Sequence, residues 1–348
     1  MKPILISILL PTHNRCELLQ ETLNTVFQQE LGLDQIELII SNDGSTDDTK
    51  KFLDELKLNE RRIPLQVFHH EKNLGGPGNW KFLLEQAKGE FVYLLSDDDY
   101  IKPDFLKHYI QIIAEHPTVD LLYSGIEYCD DSMRALNQSH ISSVPGLVSG
   151  SERLKNYLVA NHMVMSSVYR RSTFLKAGGW QAKYGTCIDG GGFAMMCTQS
   201  RQTYFIAKAF FCFRIGAQSW SSFSPQKQKK MYQYFRWIID DVVAWALVDD
   251  KKNISFYRSC FAAHAQGALN MLDLKIVHEQ INKTTLKELL RDLRDVFPEV
   301  VTLPSYYKMQ MVAYLGVRWL ETLRELMGRG IRGKSVFEKD YEPQGVKR

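Results

Sequence analysis

Three aspartates in succession, Asp97-Asp98-Asp99, follow Ser96 at the end of an apolar run at residues 91–95. At the end of a buried strand, three adjacent carboxylates repel one another unless something neutralises them. A hard divalent cation does this. Mg2+ or Mn2+ takes one or two protein carboxylates and completes its shell with water and phosphate oxygens, so the run suits a phosphorylated substrate. From spacing alone, the same residues equally make a solvated acidic turn ahead of the helix that follows Pro103.

Two further polar clusters close apolar runs. Thr12-His13-Asn14 follows residues 4–10, and Asn42-Asp43-Gly44 follows residues 36–41. Asp-Gly is ordinary turn chemistry, and it is also a carboxylate placed to accept a hydrogen bond from a nucleobase N–H. The loop Asn73-Leu74-Gly75-Gly76-Pro77-Gly78-Asn79 permits close backbone approach to a ligand. It matches neither the G-x-G-x-x-G nor the P-loop pattern, which disfavours dinucleotide binding and P-loop hydrolysis.

These clusters need elements to hold them. Short apolar runs at 4–10, 36–41, 65–69, 91–95 and 119–123 alternate with helix-period segments at 15–29, 49–59, 78–88 and 104–115. That rhythm predicts βαβ units and an α/β fold with a mostly parallel, doubly wound sheet. Ligands of such sheets bind beyond the carboxyl ends of the strands, where all three clusters fall. Ser45 and Asp48 form a capping pattern for the second helix, and Asn14 with Glu17 suits the start of the first. Residues 126–150 read as a polar loop, and 204–215 as a strand. Helices are expected at 226–248, 254–280, 284–296 and 305–327. The chain therefore divides into a catalytic half, 1–220, and a helical half, 221–348.

Four segments in order, PTHNR, SNDGSTDDT, KNLGGPGNW and AKGEFVYLLSDDDYIKPDFL, resemble the family-2 glycosyltransferases. The resemblance is specific over residues 4–124, weaker over 125–215 and absent beyond about 220. It implies a GT-A-like fold and inverting transfer of a sugar from a nucleotide diphosphate, with UDP the favoured carrier. Carried over by position, Pro11, Thr12, Asn14, Asp43, Asn73, Asp97 and Asp98 bind the nucleotide sugar, and Asp99 with Asp98 holds Mn2+ or Mg2+. The commoner family form has Asp where Ser96 stands. The resemblance also implies a general base after a Gly-Gly-aromatic segment. Gly178-Gly179-Trp180 followed by Ile188-Asp189 fits it, although the usual pair is Glu-Asp. Asp189 is then the base, with Gly190-Gly191-Gly192 leaving room for an acceptor. Its plain alternative is a helix N-cap.

The implied acceptor is a hydroxyl of a glycan or lipid-linked glycan in surface-polysaccharide assembly. A non-catalytic nucleotide-sugar-binding scaffold is the rival reading. A nucleotidyltransferase would need a Gly-rich, Lys-containing signature that residues 11–15 lack. Gln233, Arg236 and Trp237 match Q-x-x-R-W and read as an amphipathic helix with Trp237 in the core. Residues 305–327 form a helix with a mildly basic end, suited to packing or to peripheral contact with an anionic membrane. A homo-oligomer is left open.

Composition bounds the rest. With 348 residues, 45% hydrophobic and 24% charged, the chain holds a core without disulfide or metal staples. A net charge of +3 argues against nucleic-acid binding. Six cysteines without C-x-x-C spacing, and no secretory signal, read as reduced thiols in a cytoplasmic protein, peripheral to the inner membrane face at most.

Overall fold

The computed structural model describes residues 3–30, 32–60, 62–130, 134–138, 145–160, 164–214, 225–262, 265, 269 and 283–315. Apolar runs without alternation belong to strands covered on both faces. Accordingly β1 (Ile6–Thr12) and β2 (Ile36–Asn42) are buried almost throughout. They pair in parallel from Ile6↔Ile36 to Thr12↔Asn42, so the polar residues that end them lie side by side.

β3 (Leu65–His69) extends the sheet beyond β2, and β4 (Phe91–Leu94) pairs with the other side of β1. The strand order β3-β2-β1-β4 places a topological switch between β1 and β4. Crevices form at such switches because the flanking connections leave on opposite faces. Helices α1 (Cys16–Phe27), α2 (Thr49–Asn59), α3 (Gly75–Gln86) and α4 (Phe105–Glu115) follow the strands in turn. Ile8, Leu10, Leu19, Leu23, Val26, Leu38, Ile40 and Leu53 share one core with Phe91, Tyr93 and Phe105.

Beyond β4 the sheet becomes mixed. The two-residue β5 (Tyr100–Ile101), β6 (Leu121–Cys129), β9 (Val168–Arg170) and β10 (Gln202–Arg214) follow, with β9 antiparallel between β4 and β6. β10 runs parallel to β6 and antiparallel to β5. The loop expected at 126–150 is corrected here. It contains the end of β6, then β7 (Ala135–Gln138) and β8 (Gly146–Ser149), which pair with β6 and β10. β8, Gly-Leu-Val-Ser, is four residues long and alternates half-buried and exposed positions, so no apolar run marks it as a strand.

α5 (Gly150–Ala160), α6 (Arg171–Lys176) and α7 (Ile188–Gln199) complete this region, followed by the long α8 (Pro225–Asp249). The chain falls into two compact units, Met1–Ser222 with Gln233–Cys260, and Phe223–Tyr232 with Phe261–Arg348. In the second, Leu286, Leu289, Leu290 and Leu293 line the buried face of the helix Lys283–Val296, and Met309 and Ala313 are buried on Pro304–Leu315. Most of the helix expected at 254–280 lies outside the described residues, as does the basic end of 305–327. No helix among the described residues is long and apolar enough to cross a membrane. All six cysteines are free.

Candidate active site

The loops after β1 and β2 are stitched into one surface. Asp43 N–H donates to Thr12 O at 2.9 Å, and the His13 imidazole Nδ1 meets Asp43 O at 2.8 Å. Asp43 is buried, and its Oδ1 accepts the Leu74 N–H at 2.6 Å, which ties the loop after β3 to the same point. Asn73 closes the group with Nδ2 3.3 Å from the His13 ring. Gly44, at φ +69°, lies where an added Cβ would stand 3.2 Å from Asn73 N, so the turn leaves no room for a larger residue.

Asn14 sits in the left-handed region at φ +53°. Its Oδ1 accepts the Thr46 N–H at 2.7 Å and its N–H donates to Ser45 Oγ at 2.9 Å, so its carbonyl is committed to joining the loops. The expected caps, Asn14 for the first helix and Ser45 with Asp48 for the second, are not the ones used. Asp47, not Asp48, serves both helices: Oδ1 accepts the Thr49 N–H of α2 and Oδ2 the Cys16 N–H of α1, each at 3.1 Å. The α1 N-cap position is Arg15 and has no side-chain cap. Its side chain turns elsewhere.

Arg15 reaches across the switch between β1 and β4. One of its terminal nitrogens lies 3.0 Å from Asp97 Oδ1 and 2.8 Å from Asp98 Oδ2. From the far end of β10, Arg214 donates its backbone N–H to Asp99 Oδ1 at 3.1 Å and its Nε–H to Asp98 O at 3.0 Å. Burial pushes the Asp97 carboxyl up to about 6; Asp98 adds repulsion, and Arg15 opposes the rise. Burial also raises Asp99 well above the carboxylate range, with Asp98 adding to it and the Arg214 N–H resisting. Burial is the main cause of both shifts; the excess of negative charge shows instead in the count of charged groups.

That excess is the test of fit for a divalent cation. Asp97, Asp98, Asp99 and nearby Glu21 face two guanidiniums, Arg15 and Arg214. Asp98 Oδ1 and Asp99 Oδ2 lie outside these hydrogen bonds. Among the described residues no three His, Cys, Asp or Glu side chains form a ready ligand set. Mg2+ and Mn2+ need none, since one or two carboxylates and a diphosphate complete their shell. The residues present fit such an ion.

Asp189 lies in the first turn of α7, half-buried. No ion pair among the described residues engages it. Burial raises its pKa against the pull of the Gly190 N–H, and its charge is felt by Tyr157, Tyr169 and Cys187. The glycines after it do not open an acceptor approach. All three are buried under the protein's own rings: an added Cβ would stand 2.3 Å from Tyr157 Oη at Gly190, 2.1 Å from the Tyr184 ring at Gly191 and 3.0 Å from Trp180 at Gly192. Trp180 in turn meets Trp80 of α3. Trp180, lying over Gly192 of α7 and against Trp80 of α3, thereby bridges the two helices.

Of the residues singled out by sequence, Pro11, Thr12, Asn14, Asp43, Asn73, Asp97, Asp98 and Asp99 gather at the carboxyl ends of β1 to β4. No hydrogen bond or ion pair among the described residues links Asp189 to them; what connects the two regions is the Trp80–Trp180 contact between α3 and the segment before α7. Arg15, Asp47 and Arg214 escaped the reading. Arg15 and Asp47 stood inside motifs already quoted, whereas nothing in the sequence ties Arg214 to Asp99. Trp237, expected in the core, is 39% exposed beside Tyr234, whose ring covers Gly185.

Residues 7–178 match the family described as glycosyl transferase family 2. The poly(ribitol-phosphate) beta-N-acetylglucosaminyltransferase TarS of Staphylococcus aureus is 34% identical over 117 residues, 33% of this chain and 20% of that protein. The GalNAc(5)-diNAcBac-PP-undecaprenol beta-1,3-glucosyltransferase of Campylobacter jejuni is 38% identical over 95 residues, 27% and 29% of the two chains. The chain thus spans less than a third of the length of these relatives. In structure it resembles TarS 1–349 with a TM-score of 0.65 and 21% identity, covering 93% of this chain and 92% of that one. The same TarS fragment has been solved with UDP-GlcNAc, at a TM-score of 0.64 and 18% identity. The mannosyltransferase PcManGT of Pyrobaculum calidifontis, in complex with GDP-Man and Mn2+, gives 0.53 and 14% over 86% and 88% of the chains. These likenesses establish a GT-A-like fold.

Proposed function

Since the chain belongs, through residues 7–178, to the family-2 glycosyltransferases, we propose that it transfers a sugar from a nucleotide diphosphate to a hydroxyl of a glycan or lipid-linked glycan. The observation that carries the proposal is the meeting of the hydrogen-bonded Asp43–Asn73 loop cluster and the Asp97–Asp99 loop on either side of one switch point. A loop cluster with a buried carboxylate acceptor suits a nucleobase, and an under-neutralised acidic loop beside it suits a cation-bound diphosphate.

In this reading Thr12, His13 and Asn73 border the nucleoside, and the second carboxylate oxygen of Asp43 accepts from the base. Asp98 and Asp99 hold the cation, which supplies charge stabilisation to the departing diphosphate. Arg15 keeps Asp97 and Asp98 paired and aligned. Asp189, with its raised pKa, takes the proton from the acceptor hydroxyl as that oxygen attacks the anomeric carbon, and a single displacement inverts the configuration. UDP is the favoured carrier; the TarS fold solved with UDP-GlcNAc supports it. The acceptor class draws support from relatives named for poly(ribitol-phosphate) and for an undecaprenol-linked glycan.

The experiment is calorimetric titration of the purified protein with UDP, GDP and dTDP, each with and without Mn2+. Mn2+-dependent binding of one nucleotide, lost in Asp99→Ala, supports the reading and names the carrier. Folded protein that binds none of the three rejects it in favour of a scaffold.

A further inference from the structure

Arg214 ends β10, 115 residues from Asp99 in sequence, and its polar groups are spent on the acidic loop and on what anchors it. The backbone N–H holds the Asp99 carboxylate, and Nε–H holds the Asp98 carbonyl at 3.0 Å. The other side of the guanidinium pairs with the Glu21 carboxylate of α1. Its Cζ lies 4.7 Å from the centre of the Tyr100 ring, and Tyr100 Oη donates to Glu21 Oε2 at 2.7 Å, closing a ring of contacts. From α1, Thr22 Oγ1 donates to Asp99 O at 2.9 Å. Asp98 and Asp99 are therefore clamped between β10 and α1, and Arg214 is the part that touches both carboxylate-bearing residues.

We propose that Arg214 is a positioning residue for the cation-binding carboxylates: its guanidinium holds the Asp98 main-chain carbonyl and so the course of the acidic loop, which in turn seats the Arg214 backbone N–H on the Asp99 carboxylate, while Glu21 and Tyr100 fix the guanidinium itself. The inference rests on the nucleotide-sugar reading above. The arrangement needs arginine. A planar guanidinium donates in two fixed directions at once and stacks flat on a ring, whereas a lysine ammonium is a point charge on a flexible stem. Arg214 is nearly buried, so its hydrogen bonds are shielded from solvent.

The test compares the wild type with Arg214→Ala, Arg214→Lys and Glu21→Gln by calorimetry with UDP, GDP and dTDP, with and without Mn2+. Circular dichroism and thermal melts are run on the same samples. The quantity read is the ratio of nucleotide affinity with Mn2+ to that without. Groups that orient metal ligands typically contribute about 10–100-fold to metal affinity, so both Arg214 variants should lose about tenfold or more of this ratio. Binding without Mn2+ should stay within about twofold. Glu21→Gln, at an exposed position on α1, should lose a smaller part of the same ratio; it carries the test if Arg214→Ala fails to fold.

A lowered melting point with the Mn2+ ratio intact makes Arg214 merely structural and overturns the inference. So does Arg214→Lys behaving as wild type, since charge alone would then suffice. Wild-type protein that binds no nucleotide removes the functional reading, and the inference with it. Wild-type binding that the variants match overturns the inference alone.

Discussion

Trp80 and Trp180 meet edge to face, their ring centroids 5.9 Å apart and their planes at 76°. Trp80 follows the Asn73 loop, and Trp180 precedes the turn into Asp189. Trp180 also packs on Tyr169 and Phe174 and covers Gly192, so this aromatic cluster fixes α7 against the sheet. Edge-to-face pairs add about 1 kcal/mol to what their buried area supplies.

Trp180→Ala removes the centre of that cluster at a position 4% exposed. Large-to-small changes of this kind cost about 3–5 kcal/mol. Urea unfolding of the variant should show that loss. A loss below about 1 kcal/mol would mean that α7 is held by other contacts.

Gly191→Ala reverses an ordinary expectation. In an exposed helix interior the change gains about 1 kcal/mol. Here the new methyl would stand 2.1 Å from the Tyr184 ring, whose hydroxyl is bound to Asp241 and which therefore has little freedom to retreat. Overpacking at such a site costs about 1–3 kcal/mol, so the melting temperature should fall. A rise would return the glycines to the role of an open acceptor path.

The parallel half of the sheet was legible because its strands are apolar without alternation and its turns carry Asn, Asp and Gly. β7 and β8 were not, since edge strands with a solvated face resemble polar loops. The acidic loop and the Asp43 turn could be read as sites because strand ends in this fold converge. Their counter-ions could not. Arg214 reaches Asp98 and Asp99 only through the pairing of β10 with β5, and a pairing between distant strands leaves no local pattern. Trp237 misled for a related reason, since helical period alone does not say which side of a helix finds a partner.

Asp47 and Asp48 offer a direct comparison, because the capping pattern paired Asp48 with Ser45 and passed over Asp47. Asp47→Ala leaves the first N–H groups of two helices unpaired at once, and each such cap is worth about 1 kcal/mol. Asp48→Ala should change stability by less than about 0.5 kcal/mol. Guanidinium unfolding of the pair measures the difference. Since Asp47 also joins the two loops around Asp43, its loss should weaken nucleotide binding as well.

Asp189 yields a prediction in which sign matters. Burial raises its pKa in the folded protein, so the proton stays on to a higher pH than in the unfolded chain, where Asp titrates near about 3.9. Stability from this group is therefore fully present below the unfolded value and declines as pH rises through the folded one. A base must be ionised, so the acid limb of kcat/KM should lie at higher pH than the titration of a free aspartate, where the same ionisation weakens the fold. Asp189→Asn removes the charge and keeps an acceptor for the Gly190 N–H. At pH 7 it should melt no lower than the wild type, and any gain should vanish towards pH 4. Donor affinity should stay within about twofold, while transfer falls by about 100-fold or more, the usual contribution of a general base. Transfer retained at pH 7, with a lower melting point, would instead identify Asp189 as a helix cap and place the base elsewhere.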